Sequence, residues 1–304
     1  MNEPADELAG PRGFGRIHDW AADSLERIPP EAWPFILLAL FAVVANGPMV
    51  LSSGSLYLLL LPNLAAEALM PAAILIGCHD AWRSARLLLL GAIVWTSIPL
   101  GLDVISWGLA SGLQIARDLA DLVSVAGPAL VAIGLMQRRR TETTWPKALV
   151  ALTLIATGAL CLLAANSAIS VVSGTTIEVD PDYPWFVAVV ALRPLQILTV
   201  GALAWSSLAA VRACEAPRRF WMSVFAGSAV LLGVFILSIA LENLALDSAA
   251  LGSGTYPAFF NQIVLVDSLG GLVGMVLLLI GFAQGLPAAV TMAGGDEAVA
   301  TIAD

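Results

Sequence analysis

The chain has 304 residues, of which 59% are hydrophobic and only 12% charged, and its mean hydropathy is +0.88. A soluble domain of this size covers its surface with roughly a quarter charged residues, so a water-soluble globular fold is excluded. The formal net charge of -9 also argues against a nucleic-acid partner, which needs a basic stripe.

Residues 1–33 form a polar segment rich in acids, unlike a cleavable signal sequence, which is basic and then apolar. Within it Phe14, Ile17, Trp20, Ala21, Leu25 and Ile28 recur at helical spacing before Pro29-Pro30 ends the pattern. That spacing fits an amphipathic helix lying on the membrane surface, against the alternative of an unstructured tail. Residues 34–286 hold the membrane domain. A spanning helix needs about 20 mainly apolar residues, and the stretches near 34–52, 56–78, 86–107, 118–136, 147–171, 185–211, 221–245 and 258–284 qualify. The expected fold is all-α, a polytopic integral membrane bundle of about eight transmembrane helices. The first hairpin is expected to turn at Gly47-Pro48 and at Ser52-Ser53-Gly54-Ser55. Residues 287–304 read as a flexible tail.

Basic residues set the expected orientation. Arg83 and Arg86, then Arg138, Arg139, Arg140 and Lys147, then Arg212, Arg218 and Arg219 follow spans 2, 4 and 6. The opposite loops carry Glu178, Asp180, Asp182 and Asp247, with Arg117 at the rim of span 4. Both termini are therefore expected in the cytoplasm, in a multi-pass protein of the cell membrane. Trp33, Trp82, Trp107, Trp145, Trp185 and Trp221 fall near span ends, where the headgroup layer favours them; Trp95 and Trp205 fall inside spans as packing residues.

The scarce residues narrow the chemistry. Cys78, Cys161 and Cys214 form no CxxC and none lies in an outer loop, which argues against an outer disulfide. His18 and His79 are the only histidines, too few for a three-histidine zinc site, and their places in the tail and at the cytoplasmic end of span 2 leave no intramembrane pair of haem ligands. Lys147 sits at a membrane edge, and no phosphate-cradling loop, GxSxG or HExxH occurs. No metal or cofactor is expected.

What stands out is a set of polar residues inside spans, where each charge costs roughly 2.5–3.5 kcal/mol on insertion scales and so faces protein or water. Span 2 places Asn63, Glu67 and Pro71 on one face; span 3 places Thr96, Pro99, Asp103 and Ser106 together. Span 4 carries Arg117, Asp121, Ser124 and Pro128, span 6 Arg193 and Gln196, and span 7 Ser238 and Glu242. In span 8 Asp267 shares a face with Gly270, Gly271 and Gly274, a stripe that admits another helix. Rise arithmetic puts Arg193 about 12 Å and Asp267 about 14 Å below the outer membrane face. The expected site is thus a polar, net acidic pocket in the outer half: Glu67, Asp103, Asp121, Arg193, Glu242 and Asp267, with Asn63 and Gln196. Arg193 is expected to contact Asp267 or Glu67, because a lone buried guanidinium is prohibitive. Five acids against Arg117 and Arg193 leave a surplus that calls for water, protons or a cation. The alternative is that these charges are structural pairs between helices.

Pro62, Pro71, Pro99, Pro128 and Pro194 interrupt the spans in the same layer, as in transporters that build sites from broken helices. Spans 4 and 8 end alike, Ala132-Ile133-Gly134-Leu135-Met136-Gln137 against Leu279-Ile280-Gly281-Phe282-Ala283-Gln284, which suggests a parallel four-plus-four repeat. The reading that unites these features is a carrier or permease-like protein with an outward polar site. A second is a non-catalytic membrane subunit or sensor module that works through a partner protein or a second copy, using the span 8 stripe or the N-terminal segment. A third is a membrane-embedded enzyme on a lipid-linked substrate. Expected partners besides the lipid bilayer are anionic headgroups at clusters such as Arg138–Arg140.

Overall fold

The computed structural model of the chain describes residues 28–53, 58–78, 85–106, 123–139, 193–250 and 256–287, all helical apart from short turns and with no strand among them. After a 3-10 turn at Pro30–Ala32 the helices are α1 (Trp33–Ser53), α2 (Leu60–Cys78), α3 (Arg86–Ala92), α4 (Ile98–Ser106), α5 (Ala126–Met136), α6 (Arg193–Arg212), α7 (Arg218–Ala250) and α8 (Tyr256–Ala283). A π turn at Ile93–Ser97 joins α3 to α4 in one rod. Five helices are long and apolar enough to cross a membrane, and Arg86–Leu102 and Ala126–Met136 are shorter apolar helices. The chain is a membrane protein by this measure. The expected span 147–171 lies outside the described residues.

Two details differ from the sequence expectation. Helix α1 runs through Gly47-Pro48 and ends at Ser53, so Gly47-Pro48 lie within the helix and not in a turn. One proline removes a single backbone bond, and an apolar helix in lipid keeps the rest because breaking it would expose many more. Helix α7 continues to Ala250, so Asp247 is on a helix and not in a loop.

The helices close a ring. Helix α2 packs on α8, α8 on α7, α7 on α6, α6 on α5, α5 on α3, and the α3–α4 rod returns to α2. Helix α1 lies outside this ring against α2 and α4, with Leu37, Leu40, Phe41 and Val44 exposed as a lipid-facing helix requires. Glycines allow the tightest approaches. On the α3–α5 seam Leu88 meets Gly134, Gly91 meets Val131, and Trp95 meets Gly127; on the α7–α8 seam Val224 meets Gly281, Gly227 meets Leu278, and Leu231 meets Gly274. The span 8 stripe, expected to offer a surface to a partner, is used internally: Gly270 and Gly274 admit α7, and Gly271 admits Asn63 of α2.

One end of the bundle gathers the basic residues. There Arg138 Nη1 donates to the Pro287 carbonyl at 2.7 Å, Leu286 N donates to the Gly77 carbonyl at 3.1 Å, and Arg139 Nε lies 3.3 Å from Glu215 Oε1. Arg138 and Arg139 are buried, whereas Arg86, Arg212, Arg218 and Arg219 are exposed. Burial pulls the Arg138 guanidinium below its ordinary pKa, with Cys78 acting the other way. Of the cluster expected to meet headgroups, these two arginines therefore turn inward, and Arg140 lies outside the described residues. Between this end and the middle of the bundle is a dry core that includes Met70, Ile74, Leu88, Leu135, Leu203 and Phe282. Trp221, expected in the headgroup layer, is fully buried in it, edge-on to Phe220 at 5.0 Å. Trp205, expected to pack inside, is 51% exposed. Proximity to a span end fixed neither indole's environment; which face of its helix each occupies did.

Candidate functional site

Above the dry core the ring lines a half-open cavity of about 280 Å³. Helix α2 contributes Asn63, Leu64 and Glu67; the α3–α4 rod contributes Trp95, Thr96, Pro99 and Leu100; Ser124 comes from the turn before α5 and Gln196 from α6. Helix α7 adds Leu231, Val234 and Phe235, and α8 adds Asp267, Gly271 and Met275. At about 1.5 Å per residue, Glu67 stands roughly 16 Å from Cys78, and Asp267 and Gln196 roughly 24 Å from Ala283 and Arg212. The cavity is therefore in the half of the bundle remote from the basic end.

Its polar wall is built at the meeting of α2, α7 and α8. Asn63 and Glu67 are one helical turn apart, and Asn63 Nδ2 donates to Glu67 Oε1 at 2.9 Å. Asn63 is only 8% exposed, and its Oδ1 is buried with no hydrogen-bond partner among the described residues. Glycine at 271 makes this placement possible, because a Cβ there would stand 3.2 Å from that oxygen. From α7, Ser238 Oγ donates to Asp267 Oδ1 at 2.5 Å. On the π turn that packs beside α2, Thr96 Oγ1 donates back to the Ala92 carbonyl at 2.9 Å.

Prolines sit one helical turn beyond three lining residues. Pro71, Pro99 and Pro128 offer no N–H to the carbonyls of Glu67, Trp95 and Ser124, the acceptors that a regular α-helix would assign them. The π turn at Ile93–Ser97 is the local response around Pro99: a wider turn relieves the ring's clash with the preceding carbonyl. It also turns Trp95 and Thr96 into the cavity wall.

Of the residues expected to form the pocket, Asn63, Glu67, Gln196 and Asp267 line this one cavity. Asp103 is on α4, Arg193 opens α6 and Glu242 is on α7, but their side chains lie outside the described residues, as does Asp121 altogether. The expected contact of Arg193 with Asp267 or Glu67 falls there too. Ser238, grouped by sequence with Glu242 on its own helix, reaches across to Asp267. Sequence reasoning missed the aromatic and apolar wall, Trp95, Phe235, Leu231 and Met275. Of these only Trp95 carried a signal, through Pro99 four residues on. No group of three or more potential metal-binding side chains occurs among the described residues. No protein-family model matches the chain, and neither a curated protein nor a solved structure is similar to it.

Proposed function

We propose that this protein is a carrier or permease-like membrane protein with a polar, net acidic binding site between two parallel repeats. The observation that carries this reading is the cavity itself: Glu67, Asp267, Asn63 and Gln196 converge on about 280 Å³ of space amid apolar helices. Buried structural pairs would be expected to close on one another and leave no void, because packed interiors have few gaps larger than a water.

The two seams supply independent support for the repeat. On α3 and its π turn Leu88, Gly91 and Trp95 meet Gly134, Val131 and Gly127; on α7 Val224, Gly227 and Leu231 meet Gly281, Leu278 and Gly274. The spacings of three and four residues are the same on all four helices. The 136-residue shift that relates α3 to α7 carries Trp95 onto Leu231 and Pro99 onto Phe235, the 147-residue shift that relates α5 to α8 carries Ser124 onto Gly271, and all six line the cavity. The ring's order of neighbours is also unchanged when each span is advanced by four. Repeats related in this way occur in transporters, whose substrate sites lie at the repeat interface.

In this reading the bundle has eight spans, with 147–171 as the fifth, and the basic end faces the cytoplasm with both termini. The cavity then belongs to the outer half, and the dry core beneath it is the closed inner gate. Exposed Arg86, Arg212, Arg218 and Arg219 are the groups for anionic headgroups. The alternative of a subunit acting through a partner would gain from stoichiometric co-purification of a second protein in mild detergent.

The test is charge movement in proteoliposomes adsorbed to a solid-supported membrane, after a proton or sodium concentration jump. Wild type should give a saturable transient, and Glu67→Gln and Asp267→Asn should reduce it at least tenfold while remaining monodisperse. Full retention by both variants would refute the site.

A further inference from the structure

We infer that the basic end of the bundle is a latch between the two repeats, made by Arg138 and Arg139 with the strap Gly285–Pro287 and with Glu215; this rests on the carrier reading and names the device that holds its inner side shut. The two arginines follow α5, the last helix of the first repeat. Arg138 Nη1 donates at 2.7 Å to the carbonyl of Pro287, just past α8, the last helix of the second. Arg139 Nε lies 3.3 Å from Glu215 Oε1 in the turn between α6 and α7. A third tie runs from Leu286 N to the Gly77 carbonyl on α2, at 3.1 Å. Each of these three joins one repeat to the other. The strap itself is shaped for the purpose. Gly285, at φ +109°, takes a left-handed conformation open to glycine and ends α8. From there the chain passes from α2, at Leu286, to Arg138, at Pro287; Leu286 packs against the dry core and Pro287 is buried.

The kind of contact differs inside the repeats and between them. Inside each repeat the helices are keyed along their length by the glycine contacts of the α3–α5 and α7–α8 seams, and close packing of this sort is what holds helices together in lipid. Each half can therefore move as a body. Between the halves, at the basic end, the fastenings are polar. Arg138 and Arg139 are only 6% and 7% exposed, and burial has taken their charges out of water. When such ties part, water replaces each lost partner and restores much of that hydration, so the joint can open and close again. Alternating access by rocking of one repeat against the other has to break whatever fastens the closed side. These three ties lie on that side, with the dry core between them and the cavity.

Cys78 ends α2 beside the strap, is 8% exposed, and reports the opening. The full chain carrying Cys161→Ser and Cys214→Ser, in lipid nanodiscs at one fixed pH, would be treated with a membrane-impermeant maleimide and the rate of Cys78 labelling measured. Arg138→Ala should speed labelling about tenfold or more, as for loss of a hydrogen bond from a charged donor. Arg138→Lys, which keeps a cationic donor, should stay near the parent rate. Loss of the cation near Cys78 would by itself make the thiol less reactive, so a faster rate reports exposure. The deciding variant is Arg139→Ala with Glu215→Ala, which removes both partners of the tie at the other junction. A latch between two bodies requires that it speed Cys78 labelling comparably, whereas fraying of the strap alone leaves the rate unchanged. An unchanged rate in that double variant, or in Arg138→Ala, would overturn the latch. Charge movement on a proton or sodium jump, with labelling unchanged in both variants, would remove the latch and leave the carrier standing. Faster labelling in both without charge movement in any gradient would support the latch and remove the carrier.

Discussion

Replacing Glu215 with alanine should destabilise the bundle by about 3–5 kcal/mol, the usual cost of removing one partner from a buried ion pair. Arg139 and Glu215 approach to 3.3 Å with side chains only 2% and 8% exposed. The attraction between them offsets part of the cost of taking two charges out of water. The size of the loss reflects the guanidinium left behind more than the net worth of the pair. The double variant Arg139→Met with Glu215→Leu should therefore recover most of it, since a well-packed apolar pair is often neutral or better than a buried ionic one. Denaturant unfolding in mixed micelles would measure both. A loss under 1 kcal/mol in Glu215→Ala would mean that the pair is solvated and does not fasten the turn after α6 to the end of α5. Because this pair lies beneath the dry core, its removal should also loosen the end of the bundle that the carrier reading treats as the closed gate.

The second large effect is expected at Gly77. A Cβ there would stand 1.9 Å from the Phe282 carbonyl oxygen, and the Gly77 carbonyl itself accepts from Leu286 N at 3.1 Å. Both neighbours are backbone, which cannot swing aside as a side chain does, so Gly77→Ala has to part α2 from α8. The cost should reach or exceed the upper end of the 1–3 kcal/mol typical of overpacking. Gly127→Ala, whose Cβ would fall 2.3 Å from the Trp95 Cβ, should behave alike and also distort the cavity wall. Gly47 and Gly101 are the controls. Nothing lies within 4 Å of a Cβ at either, and alanine in place of a mid-helix glycine should gain about 0.5–1 kcal/mol. Melting temperatures of the four variants in one detergent would order them. A Gly77→Ala protein as stable as Gly47→Ala would show that α2 and α8 are not in contact at this point.

Glu67, Asn63, Gln196 and Asp267 were each legible as costly polar positions in apolar helices, and the helical period placed Asn63 with Glu67. Nothing in that period says which helix faces which. Ser238 on α7 donates to Asp267, and the residue that makes room for Asn63 is Gly271 on α8, relations that exist only once the ring has closed. The tryptophans teach the same point from the other side: Trp221 and Trp205 sit where a count of residues puts them along the helix axis, yet one is in the core and the other is exposed.

By itself, the sequence determined that this protein lives among lipids as a set of helices, because 59% hydrophobic residues leave too few charges to face water. It also determined the lengths of most helices and the depth of the polar residues along them. The tertiary structure alone decided that four of those residues share one cavity, that the glycine stripe of α8 is used inside the molecule, and that two arginines turn inward. The reason is physical. Along a helix, position follows from a fixed rise and period, whereas the contacts between helices depend on small gaps at glycines that any of several neighbours could have filled.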